Sequence, residues 1–415
     1  MKQPHTNILD YLTCGLAAIF VLDRLWKIAT VTHFFHRPSP PQPTSWPTIS
    51  ILQSITRGVT GLPASLRARA RLDYPAEVQH LLICDAHDSE TQAVVRAFLA
   101  EFPALQAEVI LVESDNGAVA TKIRKLQAAL PKSTGEVICF IDDDVAPRCD
   151  TLRVMIPYLF QPGVGAAFAL PCHTSWQTTW SSLLGGFVNT NLPLNLVSLT
   201  YLTDPIRITG QFVAFRRSVF IESGGLDGLE HHVDDDYEIT RRLRMHGLRS
   251  VQTPVVAEID NQLHSLRAYL RQFKRWMVLP RQGMVSSLTP WQGFAHVLSN
   301  GPLVLPSFIA LLALFTRSRL ALSSLIASLG VFTGVHALCE TLYLKRRTPL
   351  RRWPLLIIVA LFTPLQVIWA LLSNNEVEWR GQRFRVRSDG KMEVIKNSTI
   401  NRPSVERPAR YLQHE

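Results

Sequence analysis

The chain has 415 residues, enough for one large or two modest domains, and its 47% hydrophobic content and positive mean hydropathy are high for a soluble protein carrying 18% charge. A formal net charge of +10 calls for anionic company, yet the arginines cluster beside apolar stretches and no basic tract is interleaved with aromatics, which argues for membrane and phosphate and against nucleic acid. Six scattered cysteines, with no CxxC pair, exclude a zinc ribbon or a disulfide framework and suit reduced core positions such as Cys84 and Cys139.

The run Ile8–Leu22 is apolar apart from Asp10, then meets Asp23 and Arg24 and continues apolar to Phe35. It is short for a membrane span, although snorkelling ends can carry it across. A cleaved signal would need a basic n-region and a small-residue cleavage site, and neither is present. Only Lys2 precedes the run, whereas Arg24, Lys27 and Arg37 come after it, so the positive-inside rule places the next part of the chain in the cytosol. The expected organisation starts with an N-terminal membrane segment (1–37) and a proline-rich linker (38–47).

From Thr48 to Val256 strand-like and helical patterns alternate. Strands are expected at Ile49–Ile55, Val78–Cys84, Ala107–Val112, Val137–Ile141 and Gly165–Leu170, with helices at Pro63–Leu72, Glu90–Glu101 and Val119–Leu130. Such alternation predicts an α/β domain (48–280) with a mostly parallel sheet covered by helices on both faces. Ligands of such sheets bind beyond the carboxyl ends of the strands, where Asp85, Asp88 and Asp142–Asp144 fall.

The stretch Glu136–Val145, EVICFIDDDV, is an apolar strand ending in three carboxylates. Their mutual repulsion has to be neutralised, and a hard divalent cation does so economically. The alternative is that they only turn the chain and cap a helix starting near Arg148–Thr151. The segment Pro171–Pro205 is apolar and poor in charge, and reads either as a core insertion or as a surface meeting lipid. Thr209–Val219 (TGQFVAFRRSV) and the turn Gly224-Gly225 lead to Val233-Asp234-Asp235-Asp236-Tyr237, from which a helix is expected to run to His246 and end at Gly247. At 100° per residue Ile239, Leu243 and His246 mark its inward face, flanked by Asp235 and Asp236, while Asp234 points away. These acids also suit a helix N-terminus. A further helix, Ser265–Met277, carries an apolar stripe of Leu266, Tyr269, Leu270, Phe273 and Met277 with Arg275 almost opposite, as in an interfacial helix lying on lipid or a plain amphipathic surface helix.

After Pro280 the chain turns apolar near Phe294–Phe315, Leu320–Leu344 and Trp353–Leu372. The second and third are long enough to span; the first, interrupted by Asn300, Gly301, Pro302 and Pro306, either spans or is re-entrant. The basic loop Lys345–Arg352 belongs in the cytosol. This region (281–373) precedes a basic polar tail (374–415), expected to be partly disordered beyond Lys396.

Asp85, the DxD-like Asp142–Asp144, the acidic pair before Tyr237 and Gln272-x-x-Arg275-Trp276 occur in the order seen in inverting, membrane-bound family-two glycosyltransferases. Over Thr48–Arg387 the chain most resembles the ceramide glucosyltransferase branch, with its bacterial hopanoid-associated relatives; Glu378-Trp379-Arg380-Gly381 with Arg383 is similar to the branch's basic, Trp-containing tail. The resemblance implies a cytosolic nucleotide-diphospho-sugar transferase (GT-A-like) domain in an integral membrane protein of a bacterial inner membrane or its equivalent. It also implies a single sugar moved from a nucleotide-diphosphate sugar, expected to be a UDP-sugar, to a hydroxyl of a membrane lipid, with Mg²⁺ or Mn²⁺.

Carried over by the resemblance, Asp142 meets the ribose or metal and Asp144 is the main metal ligand. Asp236 is the general base with Asp235 beside it. Gln272, Arg275 and Trp276 bind the diphosphate and the acceptor end, and Lys122 and Lys125 lie near the phosphates. Relatives often have Asp where Ala86 aligns, so the nucleotide contact is Asp85 or Asp88. Two other readings use the same residues: a processive polysaccharide synthase, which normally needs more spans, and a non-enzymatic cation-binding membrane protein.

Overall fold

The computed structural model describes residues 8–56, 58–113, 121–232, 234–379, 382–388 and 390–395. A long helix α1 (Ile8–His36) precedes an α/β domain whose strands are β1 (Ile49–Ser54), β2 (Val78–Asp85), β3 (Ala107–Val112), β4 (Val137–Asp142), β5 (Val145–Ala146), β6 (Val164–His173), β7 (Phe212–Arg216) and β8 (Arg249–Ile259). They form one sheet in the order β3-β2-β1-β4-β7-β6-β8-β5. The β3-β2-β1-β4 half and the β6–β8 pair are parallel, whereas β7 runs antiparallel to β4 and β6, and β5 antiparallel to β8. Between and after the strands lie α2 (Leu62–Ala70), α3 (Ser89–Glu101), α4 (Thr121–Ala129), α5 (Thr151–Leu159), α6 (Thr179–Leu199), α7 (Arg217–Glu222) and α8 (Asp235–Met245).

Burial of both sheet faces explains why β4 reads as an unbroken apolar run up to Asp142, and β1 is buried along its whole length with its polar Ser50 and Gln53 hydrogen-bonded inside. The two-residue period still sorts their side chains. Ile138 and Phe140 enter the core shared with Ile123 and Leu126 of α4 and Leu243 of α8, while Val137, Cys139 and Ile141 face Leu152, Met155 and Ile156 of α5. The first four strands fall within one or two residues of the sequence expectation. Strand β6 is longer than expected, and β7 and β8 lie where the sequence raised no strand expectation.

The C-terminal half consists of α9 (Leu266–Gly283), α10 (Pro290–Asn300), α11 (Leu305–Thr316), α12 (Arg319–Leu338) and α13 (Pro354–Leu372). Among the described residues, three stretches are long and apolar enough to cross a membrane: Pro290–Thr316, Arg319–Leu344 and Leu350–Leu372. The first is broken by a tight turn at Gly301–Val304, where Pro302 and Pro306 interrupt the backbone ladder. Helix α1 carries Asp23, Arg24 and Lys27, with Asp23 3.0 Å from both basic groups. Its Phe20 and Ala17 pack in one cluster with Leu184 of α6, Ile309 of α11 and Phe332 of α12.

The structure decides between the two readings of one segment and corrects several other expectations. Pro171–Pro205 is core: α6 is buried along almost its whole length, its polar residues paired across the bundle, as in Thr190–His336 (2.8 Å) and Thr30–Ser198 (2.7 Å). The apolar stripe of α9 does not lie on bare lipid, because Phe273 packs edge-to-face with Phe187 of α6 and Tyr269 donates to Gln366 of α13. His246 is the exposed C-cap of α8, not an inward residue. The tail is not merely polar. It forms an antiparallel sheet, β9 (Glu376–Trp379), β10 (Gln382–Val386) and β11 (Met392–Val394), whose Val377, Phe384, Val386 and Met392 join the core beside Val278 and Leu279. Residues 114–120 and 396–415, and Arg380 and Gly381 of the tail motif, lie outside the described residues.

Both flanks of α13 are tied to the α/β domain. Before it, Arg346 pairs with Glu258 of β8 and Arg352 Nε donates to the Trp176 carbonyl at 3.0 Å. After it, Lys274 donates to Asn374 at 2.6 Å and Arg281 to Asn375 at 2.5 Å, both from α9.

Candidate active site

The site forms at the carboxyl edge of the sheet. Because side chains alternate, Asp142 stands on the same face as Phe140, the face that α4 covers, so Lys122 of α4 reaches it: Nζ lies 2.7 Å from Asp142 Oδ1. Asp143 points the other way, is buried, and accepts the Thr56 backbone N–H at 2.6 Å. Asp144 returns to the Asp142 side, half-buried on the cavity wall, its carbonyl accepting the Asp260 N–H at 3.0 Å. All three acids line the cavity, and the middle one also pins the loop after β1. Since β7 is antiparallel, its entrance lies at this same edge, and the Asp142 N–H donates to the Gln211 carbonyl at 3.0 Å.

The second acidic group sits on the first turn of α8. Asp234, expected to point away, is the buried N-cap: it accepts the Tyr237 N–H at 3.2 Å and pairs with Arg207 Nε at 2.9 Å. Asp236 is held from the opposite side. Its Oδ2 accepts the Gly210 N–H at 3.1 Å and lies 3.7 Å from Arg207, and Gly210 comes so close that a Cβ there would clash with the carboxylate. Asp235 lies 4.0 Å from Lys122, whose ammonium therefore bridges the two acidic groups. Burial, and then the neighbouring Asp235, push the Asp236 carboxyl up to about 7, against the pull of Arg207 and Lys122. Burial works against the charge on Lys122, but Asp142, Asp235 and Asp236 hold its pKa above the ordinary lysine value.

The helix α9 closes the site. Gln272, Arg275 and Trp276 share one wall, with Arg275 donating to Gln272 Oε1 at 3.2 Å and the Trp276 ring edge-on to His173 at 6.1 Å. A cavity of about 360 Å³ is lined by Lys122, Asp142, Asp144, Asp235, Asp236, Gln272, Arg275 and Trp276, eight of the eleven residues singled out in the sequence. The other three are placed elsewhere. Asp85 ends β2 on the same sheet edge, its carboxylate accepting the His87 N–H at 2.9 Å. Asp88 is the buried N-cap of α3, accepting from Thr91 at 3.2 Å, which accounts for that carboxylate structurally. Lys125 is buried and donates to the Ile55 carbonyl at 2.6 Å, one helical turn from Lys122 but away from the cavity wall. Sequence reading missed Arg207 and Gly210. Arg207 lies two residues before the Thr209–Val219 stretch and Gly210 inside it, but a lone arginine in an apolar segment gives no sign of its partners and a glycine none of the carboxylate it abuts.

A second cavity of about 280 Å³ opens from the first, sharing Arg207, Gln211, Asp236 and Trp276, and runs on between Phe187 and Leu192 of α6 and Met277 and Pro280 of α9. Asp236 thus stands at the junction of a charged chamber and an apolar one. Among the described residues no three acidic, His or Cys side chains converge to hold a metal unaided.

The chain is similar to several known proteins. A β-monoglucosyldiacylglycerol synthase from Synechocystis sp. is 27% identical over 184 residues, covering 42% of this chain and 36% of the relative. A ceramide glucosyltransferase from Gibberella zeae is 26% identical over 177 residues, 38% and 34% of the two chains. The matched stretches thus span about a third of those relatives' lengths. Among solved structures, a mannosyltransferase from Pyrobaculum calidifontis in complex with GDP-Man and Mn²⁺ gives a TM-score of 0.48 at 19% identity, covering 87% of this chain and 99% of that one. Staphylococcus aureus TarS in complex with UDP-GlcNAc gives 0.36 at 12% identity, covering 84% and 99%. A sequence model of glycosyl transferase family 21 matches residues 11–392, from α1 to the start of the last strand and including every residue of the two acidic groups and of α9, and the chain belongs to that family.

Proposed function

We propose that the protein is a membrane-bound, inverting glycosyltransferase that moves one sugar from a nucleotide-diphosphate sugar, a UDP-sugar, to a hydroxyl of a membrane lipid. The observation that carries this reading is the position of Asp236, shared by the charged cavity and the apolar one. A water-soluble, anionic donor suits the first, with Lys122 and Arg275 in its wall; a lipid head suits the second. Asp236, raised toward neutrality, takes the proton from the acceptor hydroxyl as that oxygen attacks the sugar's C1. Arg275 and Lys122 offset the charge that grows on the departing diphosphate, so no general acid is required. Trp276 separates the two chambers and positions the acceptor end.

Asp142 and Asp144 fit a hard divalent cation, Mg²⁺ or Mn²⁺, which typically takes one or two carboxylates and completes its shell with phosphate oxygens and water. Bound there, such a cation would further neutralise the diphosphate. Asp85 remains the proposed nucleotide contact, since Asp88 is engaged as a helix cap.

The α/β domain is proposed to be cytoplasmic, with the 345–352 loop and the tail sheet on the same side, because both dock onto that domain. Full-length protein incubated with lipid extract and a panel of nucleotide sugars, followed by mass spectrometry, tests the reading. A lipid carrying one added hexose is expected. A long polymer would favour the processive alternative, and donor left untouched under every condition would overturn the enzymatic reading.

A further inference from the structure

The apolar cavity has a polar end that the reaction described above does not use. Asn195 of α6 and Asn300 at the end of α10 both line it, together with Asp236. The two amides belong to a chain of hydrogen bonds that starts on α1. Lys27 Nζ directs its three protons to Asp23 (3.0 Å), the Ser299 carbonyl (2.5 Å) and Asn195 Oδ1 (3.2 Å). Asn195 Nδ2 donates to Asn300 Oδ1 at 3.1 Å, and Asn300 Nδ2 to the His296 carbonyl at 3.0 Å.

A lysine ammonium only donates, so the atom of Asn195 that meets it must be the oxygen. That fixes the orientation of Asn195, and through it that of Asn300. Each amide nitrogen has two protons and uses one in this chain, leaving one N–H on each. Lys27 and Asn195 are fully or almost fully buried, so the orientation is held by groups with few other partners to turn to. A further polar atom in the same cavity lacks a partner: His173 is buried, and its Nδ1 has no hydrogen-bond partner among the described residues. Burial holds that imidazole neutral, its pKa pushed down to about 4, so it presents no charge to a lipid. A chamber built only for hydrocarbon would have no use for these groups.

We propose that the Asn195–Asn300 pair, set by Lys27, receives an acyl carbonyl oxygen of the acceptor lipid, so that the attacking hydroxyl a few bonds away is presented to Asp236. The acceptor class this selects is a hydroxylated lipid with an ester or amide carbonyl near the reacting hydroxyl, in contrast to a simple long-chain alcohol or an ether lipid. The inference rests on the lipid-acceptor reading above. Asn195, Asn300 and Lys27 act by positioning, and none of them takes part in bond making.

The test compares matched acceptors in detergent–lipid micelles with full-length protein: diacylglycerol against dialkylglycerol, and ceramide against sphingosine. Wild type is expected to use at least one carbonyl-bearing lipid about tenfold better than its carbonyl-free counterpart, the discrimination one or two hydrogen bonds supply. Asn300 is exposed and its replacement is tolerable for folding, so Asn300→Leu is the primary variant, with Asn195→Leu and Lys27→Met beside it. All three are expected to raise the KM for the carbonyl-bearing lipid about tenfold, leaving the donor KM and the use of the carbonyl-free lipid unchanged. A purely structural role would lower both acceptors alike, and that outcome overturns the proposal. So does a wild type without preference within either pair, or a preference that survives in Asn300→Leu. Wild type that glycosylates none of the four while still consuming donor would sink the lipid-acceptor reading as well, and so the two failures are told apart.

Discussion

The ammonium of Lys122 lies 2.7 Å from Asp142 and 4.0 Å from Asp235, and so joins two acidic groups that are almost a hundred residues apart in the chain. Without it, Asp142, Asp235 and Asp236 would face one another across a single cavity with Arg207 and Arg275 as the cations in its wall. If Lys122 contacts the donor diphosphate as proposed, replacing it by Met is expected to raise the donor KM by about ten- to a hundredfold. Steady-state kinetics at varied donor concentration checks this; an unchanged donor KM would place Lys122 outside the donor site.

The raised pKa of Asp236 has a defined consequence for rate. As pH falls through about 7 the carboxylate takes up a proton and can no longer accept one, so kcat/KM is expected to rise with pH across that region and level off above it. Lys122 lowers the Asp236 pKa, so in Lys122→Met the acidic limb is expected to move to higher pH. A limb that stays in place would mean another group controls it.

Asp236→Asn keeps an oxygen for the Gly210 N–H but removes the carboxylate proposed as the base. Turnover is expected to fall by about 10²–10⁴, with donor affinity by calorimetry close to wild type. Near-normal turnover would move the proton-transfer role elsewhere. Asp144→Asn is expected to do the reverse, weakening metal-dependent donor binding.

Gly210 offers an independent test of the same carboxylate. A Cβ at this position would overlap Asp236 Oδ1 and lie 2.9 Å from its Cγ. Gly210→Ala therefore has to displace the carboxylate, and a shift of about 1 Å is expected to cost on the order of 10² in kcat. Circular dichroism should show an intact fold, because the displaced group is a side chain at a cavity wall. Wild-type kcat in Gly210→Ala would mean that the position of Asp236 does not matter to the reaction.

Because both flanks of α13 are tied to the α/β domain, Arg347→Cys and Glu393→Cys, in a background with Cys14 and Cys149 replaced by Ser, are expected to react with an impermeant maleimide from one and the same side of sealed vesicles. Labelling from opposite sides would show that α13 carries the chain across.

Much of the catalytic domain was legible before any coordinates. The runs that became β1 to β4 are apolar, short and separated by amphipathic stretches, and local composition suffices to mark them. The carboxylates at the end of β4 and at the start of α8 stood out because charge at the end of a buried element has few cheap explanations. Less could be read where partners are distant. Helical periodicity points Asp234 outward, yet Arg207, nearly thirty residues earlier, pulls it into the core as a cap. Asp88 and Lys125 carried the right chemistry for a donor site but are engaged by the Thr91 amide and the Ile55 carbonyl. The polar tail hid a small sheet whose alternate residues fill a gap beside α9.

The sequence by itself determined the α/β class, the apolar C-terminal stretches and the two acidic groups, because each arises from residues close together in the chain. Tertiary structure alone decided that Lys122 links those groups, that Asp143 pins the loop after β1, and that Asn195 and Asn300 meet under Lys27. The physical reason is the same in each case. Period and propensity are local, whereas the satisfaction of a buried charge or amide depends on whichever group the fold brings within about 3 Å, and that group can come from any part of the chain.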